Sequence, residues 1–149
     1  MDDPEKRKKS KKIFAPDEVE NDSLMSALEN ACRDLVFISE TDADLEPLVA
    51  GEARSRSLAS YLRGLQIDNE QIEEVSFDKF FNRLTTEKDW HRELDRERVM
   101  RFLKLRKMLE QNLDDLRVIR VGRIMIDIYI VGVTAYGRLA GVKTKAIET

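Results

Sequence analysis

At 149 residues the chain fits one domain with a real buried core, and its 42% hydrophobic and 37% charged content describes a charged globular protein rather than a fibrous or membrane-embedded one. The formal net charge of −3 is too small to select a partner, but its distribution is uneven. Residues 1–21 balance six Lys/Arg against six Asp/Glu, whereas residues 34–53 carry six acids and residues 66–78 five, with no Lys or Arg in either stretch. Basic residues return late, as Arg120, Arg123, Arg138, Lys143 and Lys145. The single cysteine, Cys32, excludes an internal disulfide and fits a reducing compartment, and its apolar helical spacing suits a buried, inert thiol. No apolar run approaches the roughly 18 residues of a membrane span, and the N-terminus has no signal-peptide apolar region. The expectation is a cytoplasmic protein.

In chain order, residues 1–21 lack periodicity and read as a disordered, charged tail ahead of a domain at 22–149. Within the tail, "KRKKSKK" reads as a solvated lead-in, or alternatively as a nuclear address or nucleic-acid arm. Asp22 or Ser23 caps a predicted helix with Leu24, Ala27, Leu28 and Ala31 on its apolar side. "LVFIS" then reads as a short buried strand and "ETDADLEP" as an acidic loop. A helix is expected within residues 54–64, and "VSFDKFFNRL" reads as a short strand followed by a helical turn. Thr86 opens the strongest predicted helix, with Asp89 as its capping partner and a break at Asp95 as an option. Its apolar stripe runs through Leu94, Val99, Phe102, Leu105, Leu109, Leu113 and Leu116.

The remainder predicts antiparallel strands. Ile124, Ile126, Ile128 and Ile130 point one way, and Met125, Asp127, Tyr129 and Val131 the other. Gly122-Arg123 suits a two-residue hairpin turn, and Gly137-Arg138 suits a second before a last strand at 139–147. A middle strand apolar on both faces needs cover on both. The fold class read from this pattern is α/β, a three-layer α/β/α sandwich over a mostly antiparallel sheet.

Few residues here support catalysis. His91 is the only histidine, no Ser/His/Asp or Cys/His set can be assembled, and no Gly-rich phosphate loop or C-x-x-C is present. No cofactor is implied. Glu40, Asp42, Asp44 and Glu46 alternate carboxylates, a pattern open to a divalent cation, to plain solvation, or to imitation of phosphates before a nucleic-acid-binding protein. Trp90, between Asp89 and His91, is either a core residue or an interface anchor.

"LVFISETD", "FDKFFNRLTTEKDW", "RFLKLRKMLEQNL", "VIRVG" and "IDIYIVGVTAYGRLAGVKTKAIET" together resemble the nuclease A inhibitor family. The likeness is most specific in "FF-x-R-x-TT-x-x-DW" and in the last two dozen residues, and weakest over residues 47–72. It implies an α/β/α fold of the PR-1-like kind and a protein without catalysis of its own. The implied partner is a sugar-non-specific, Mg²⁺-dependent endonuclease of the His-Me finger type, with neither a membrane nor nucleic acid bound directly. By the same resemblance, Glu40 and Trp90 lie in the contact surface. Thr149, in the closing "ET" with Glu148, approaches the nuclease metal through a water. Apart from the resemblance, the acidic stretch with Asp42 and Asp44 reads as supplying the remaining phosphate mimicry against a basic nuclease cleft. Two alternatives remain: a metal-dependent enzyme using Glu40, Asp42 and Asp44, and a nucleic-acid binder using the basic tail and C-terminal strands.

Overall fold

The protein is described by a computed structural model covering residues 16–149 apart from 70 and 87, with side chains described from residue 21 onward. Residues 1–15, including "KRKKSKK", lie outside the described residues. The elements are α1 (Pro16–Cys32), β1 (Val36–Ile38), β2 (Asp42–Asp44), β3 (Glu46–Glu52), α2 (Leu58–Gly64), β4 (Ile72–Val75), α3 (Phe77–Thr85), α4 (Glu93–Asn112), β5 (Asp114–Val121), β6 (Met125–Val133) and β7 (Arg138–Ile147). β3 to β7 form a five-stranded sheet in the order β3-β7-β6-β5-β4, with every neighbouring pair antiparallel. β1 and β2 pair as a separate hairpin. The chain is thus α/β with antiparallel sheets.

Strand alternation sorts the core into two clusters. Ile126, Ile128 and Ile130 of β6 join Leu28 of α1, Phe81 of α3 and Phe102, Leu105 and Leu109 of α4. Val131 and Val133, on the opposite alternation, join Tyr61 of α2 and Leu139 of β7. Tyr61 is fully buried, and its hydroxyl donates to the Asp115 carbonyl at 2.6 Å. Cys32 is buried as expected, and that burial pushes its thiol up to about 11 despite the nearby Arg101 charge.

Several boundaries differ from the sequence expectation. α1 begins at Pro16, so Asp22 and Ser23 lie exposed within it rather than capping it. Proline is favoured in a helix's first turn because the missing N–H has no intrahelical role there. Its far end is closed from another element: Arg101 of α4 donates to the carbonyls of Ala31, at 3.1 Å, and of Arg33. The acidic stretch is not a loop, since residues 42–44 and 46–52 are strands. β1 is half-buried to exposed rather than fully buried. α2 is shorter than residues 54–64 and starts after Ser57, whose side chain accepts from Ser60 N–H.

Thr86 closes α3 instead of opening α4. Thr85 and Thr86 donate their hydroxyls back to the Phe81 and Asn82 carbonyls, satisfying the end of the helix they follow. α4 starts at Glu93, where Asp95 accepts from Arg92 N–H at 3.0 Å; Asp95 is a capping residue, not a break. Leu94 falls in the first turn and is exposed, so the stripe of α4 is confined to buried Phe102, Leu105 and Leu109 with half-buried Val99; Leu113 caps the helix and Leu116 lies beyond it on β5. The β5–β6 connection holds three residues, Gly122, Arg123 and Ile124. Gly122 has φ +118°, and a Cβ there would stand 2.2 Å from the Met125 carbonyl oxygen. The β6–β7 connection is also longer than two residues. Gly137 N–H donates to Thr134 O at 3.0 Å, Thr134 N–H to Arg138 O at 2.8 Å, and Gly137 takes φ +86°, a bulged three-residue hairpin.

Candidate functional site

The site forms where the β1–β2 hairpin meets the end of β7. Ser39, Glu40 and Thr41 make the hairpin tip, closed by Ser39 N–H donating to the Thr41 carbonyl at 2.9 Å. The tip docks onto β7 by two bonds: Ile147 N–H donates to Ser39 Oγ at 3.0 Å, and Glu40 N–H to the Ile147 carbonyl at 3.3 Å. Phe37 reinforces the docking by stacking on Phe80 of α3, with ring centroids 5.7 Å apart and planes 8° apart.

Glu40 and Thr149 then meet directly. Thr149 N–H donates to Glu40 Oε2 and its hydroxyl to Oε1, each at 2.8 Å. Both carboxylate oxygens are engaged by one residue, and the Thr149 hydroxyl keeps its lone pairs for an incoming donor. These two bonds, the backbone one first, lower the Glu40 carboxyl below its ordinary value.

Glu148 turns away from Thr149, as successive residues of an extended chain do. Its N–H donates to the Ile124 carbonyl at 2.9 Å, and Oε1 accepts from Arg120 Nη2 at 2.6 Å. The same guanidinium meets Glu73 through Nε at 3.2 Å. Glu148 thus lies on the groove side with its side chain 49% exposed, held by Arg120.

Between the hairpin, α3 and the sheet end lies an open groove of about 720 Å³. Its apolar wall includes Phe37, Ile38, Phe80 and Leu84. Its charges are mixed: Glu40, Glu73 and Glu148 face Lys79, Arg83 and Arg120. Ile38 and Arg83 also line an adjoining depression that contains Trp90. Trp90 sits in the connection before α4, 72% exposed, edge-on to His91 at 4.5 Å. Its partner His91 is pinned in a turn, with Nδ1 accepting from Lys88 N–H and its own N–H donating to Lys88 O. A tryptophan this exposed is not part of the core.

Residues 22–149 match a sequence-family model described as nuclease A inhibitor-like protein. The chain belongs to the nuclease A inhibitor-like family. No match is found among curated proteins. The matched segment of this nuclease A inhibitor-like chain contains all six candidate residues and omits the first six residues of α1, 16–21.

Asp42 and Asp44 stand apart from the Glu40–Thr149 pair. They are exposed on β2, in register with Ile38 and Val36, and neither lines the groove. Among the described residues, no three His, Cys, Asp or Glu side chains are arranged to hold a metal ion. No described helix is long and apolar enough to cross a membrane.

Sequence reasoning missed four contributors. Ser39 adjoins Glu40 and is a common turn residue, so it was within reach of a local reading. Arg120 was noted only as part of a basic stretch, because its tie to Glu148 depends on register across β6. Ile124 and Met125 were assigned as strand residues, yet they stand 56% and 76% exposed beside the chain end, where Met125 pairs with Ile147.

Proposed function

We propose that the chain binds and blocks the active site of a sugar-non-specific, Mg²⁺-dependent endonuclease of the His-Me finger type, without catalysis of its own. Family membership supports the class of activity. The observation that carries the finer reading is the pair of 2.8 Å bonds by which Glu40 holds the Thr149 amide and hydroxyl. Mg²⁺ gives up its waters reluctantly, and a metal-bound water is a strong donor seeking oxygen acceptors. Thr149 Oγ1, its proton committed to Glu40, offers such an acceptor without displacing that water. A tip already fixed in the free protein loses little entropy on docking.

In this reading the Glu40 carboxylate and Thr149 form the anionic probe that imitates a scissile phosphate, with Asp42 and Asp44 extending negative charge along the hairpin. Trp90 and Ile38 form an apolar flank on one side of the tip, and Ile124 and Met125 on the other. Helices on both core clusters, α1, α3 and α4 on one and α2 on the other, support a three-layer α/β/α scaffold, which family membership suggests is PR-1-like, and the lone buried Cys32 suits a reducing, cytoplasmic setting.

The test is inhibition of a panel of nucleases of this class, with Mg²⁺ and plasmid as substrate. Stoichiometric loss of cleavage is expected, with no degradation by the chain alone. Degradation of nucleic acid by the pure chain would favour the enzyme alternative, and direct DNA affinity with a steep salt slope the nucleic-acid-binding one.

A further inference from the structure

We propose that Arg120 is a positioning residue for the C-terminal dipeptide: braced by Glu73, it grips Glu148 and so fixes where Thr149 stands. This rests on the reading of Thr149 as the functional tip.

Strand pairing ends at Ile147, opposite Met125. Residues 148 and 149 lie beyond it, where a chain frays unless tied down. Two ties, Glu148 N–H to Ile124 O and Thr149 to Glu40, come from the hairpins on either side. The third comes from two strands away. Arg120 lies on β5, opposite Ile128 of β6 and Glu73 of β4, and β6 separates it from β7.

Arg120 suits this task chemically. Its planar fork presents Nε to Glu73 and Nη2 to Glu148, two separate carboxylates. Its side chain is only 17% exposed, so solvent screens it less than a rim pair. Lysine, a point charge on a flexible stem, cannot reproduce both contacts at once. Because successive side chains alternate, holding Glu148 to the groove side turns Thr149 the other way, toward Glu40. Lys79 and Arg83 share the groove, but neither is ion-paired among the described residues, and neither holds Glu148.

The test uses Arg120→Met, Arg120→Lys, Glu148→Gln and the Arg120→Met/Glu148→Gln double variant of the full chain. Two readouts apply: backbone ¹⁵N heteronuclear NOE at Thr149 in the free protein, and the inhibition constant against a nuclease the wild type blocks. Positioning predicts a lower Thr149 NOE in every variant, an unchanged fold by melting, and inhibition weakened about five- to tenfold by each single change. The double variant should lose no more than the worse single one, because both remove the same tie. A Thr149 as ordered in Arg120→Met as in wild type overturns the proposal. So does a Glu148→Gln loss paired with unchanged or tighter inhibition by Arg120→Met, since freeing Glu148 then helps and its contact is with the nuclease. If Arg120→Met fails to fold, Arg120→Lys and Glu148→Gln decide by the same NOE criterion. The NOE arm contains no nuclease, so it decides the positioning role even where absent wild-type inhibition has removed the tip reading itself.

Discussion

Glu40 shows how one carboxylate can set the state of a site. Its folded-state acidity is strengthened by the Thr149 amide and hydroxyl, so the contact is complete above the ordinary carboxylate range and is lost as pH falls through the lowered value. The Glu40 side-chain carboxyl resonance should therefore titrate in acid with a midpoint below that of an ordinary glutamate. A midpoint at or above the ordinary range contradicts the contact. Glu40→Gln keeps the shape but turns an amide N–H₂ toward one Thr149 donor. It should weaken inhibition without moving the melting transition, because Glu40 is exposed. Trp90→Ala should cost about 2 kcal/mol or more of binding, as aromatic anchors do. At 72% exposure it should leave thermal stability nearly unchanged, and a collapsed transition would return Trp90 to a structural role. Glu40, Trp90 and Thr149 were legible as candidates because their residue types are distinctive. The tie of Glu148 to Arg120 was not, since its direction depends on the alternation of β7 and on a partner on β5.

At the scale of elements, the β1–β2 hairpin is the least self-sufficient part. Two three-residue strands cannot hold themselves together, so the Phe37–Phe80 stack and the bonds to Ile147 must keep the hairpin in place. Phe37→Ala, at a half-buried site, should cost about 2 kcal/mol of stability and impair inhibition disproportionately by freeing Glu40. Phe81→Ala, at a fully buried one, should cost about 3–5 kcal/mol and reduce inhibition only by unfolding the chain. Denaturant melts read beside inhibition per folded molecule separate the two effects. β6 and β7 were readable because alternation over many residues is a strong signal, and the middle of α4 because its apolar spacing is regular. Element ends were harder. A threonine pair reads equally well as an opening cap or, as Thr85 and Thr86 do, as a closing one. A polar first turn such as that of α1 carries no apolar stripe at all. Hairpin lengths followed the pairing register, which a Gly-Arg dipeptide does not encode.

Across the whole molecule, the candidate site draws on four separated stretches: the hairpin tip, the segment before α4, the β5–β6 turn with Arg120, and the chain end. The antiparallel sheet brings two of them together, because the end of β7, the start of β6 and the end of β5 share one margin, and the hairpin tip joins them by its bonds to Ile147. The α/β class followed from composition and periodicity, but this convergence depends on strand order, which local patterns do not state. The most direct measurement is titration of a sugar-non-specific, Mg²⁺-dependent nuclease with three forms of the chain: intact, lacking Thr149, and extended beyond Thr149, each melted alongside. The expected result is stoichiometric inhibition by the intact chain and inhibition weaker by about a hundredfold or more, some 2.7 kcal/mol, for the other two at unchanged stability. Equal inhibition by all three forms would contradict the role assigned to Thr149.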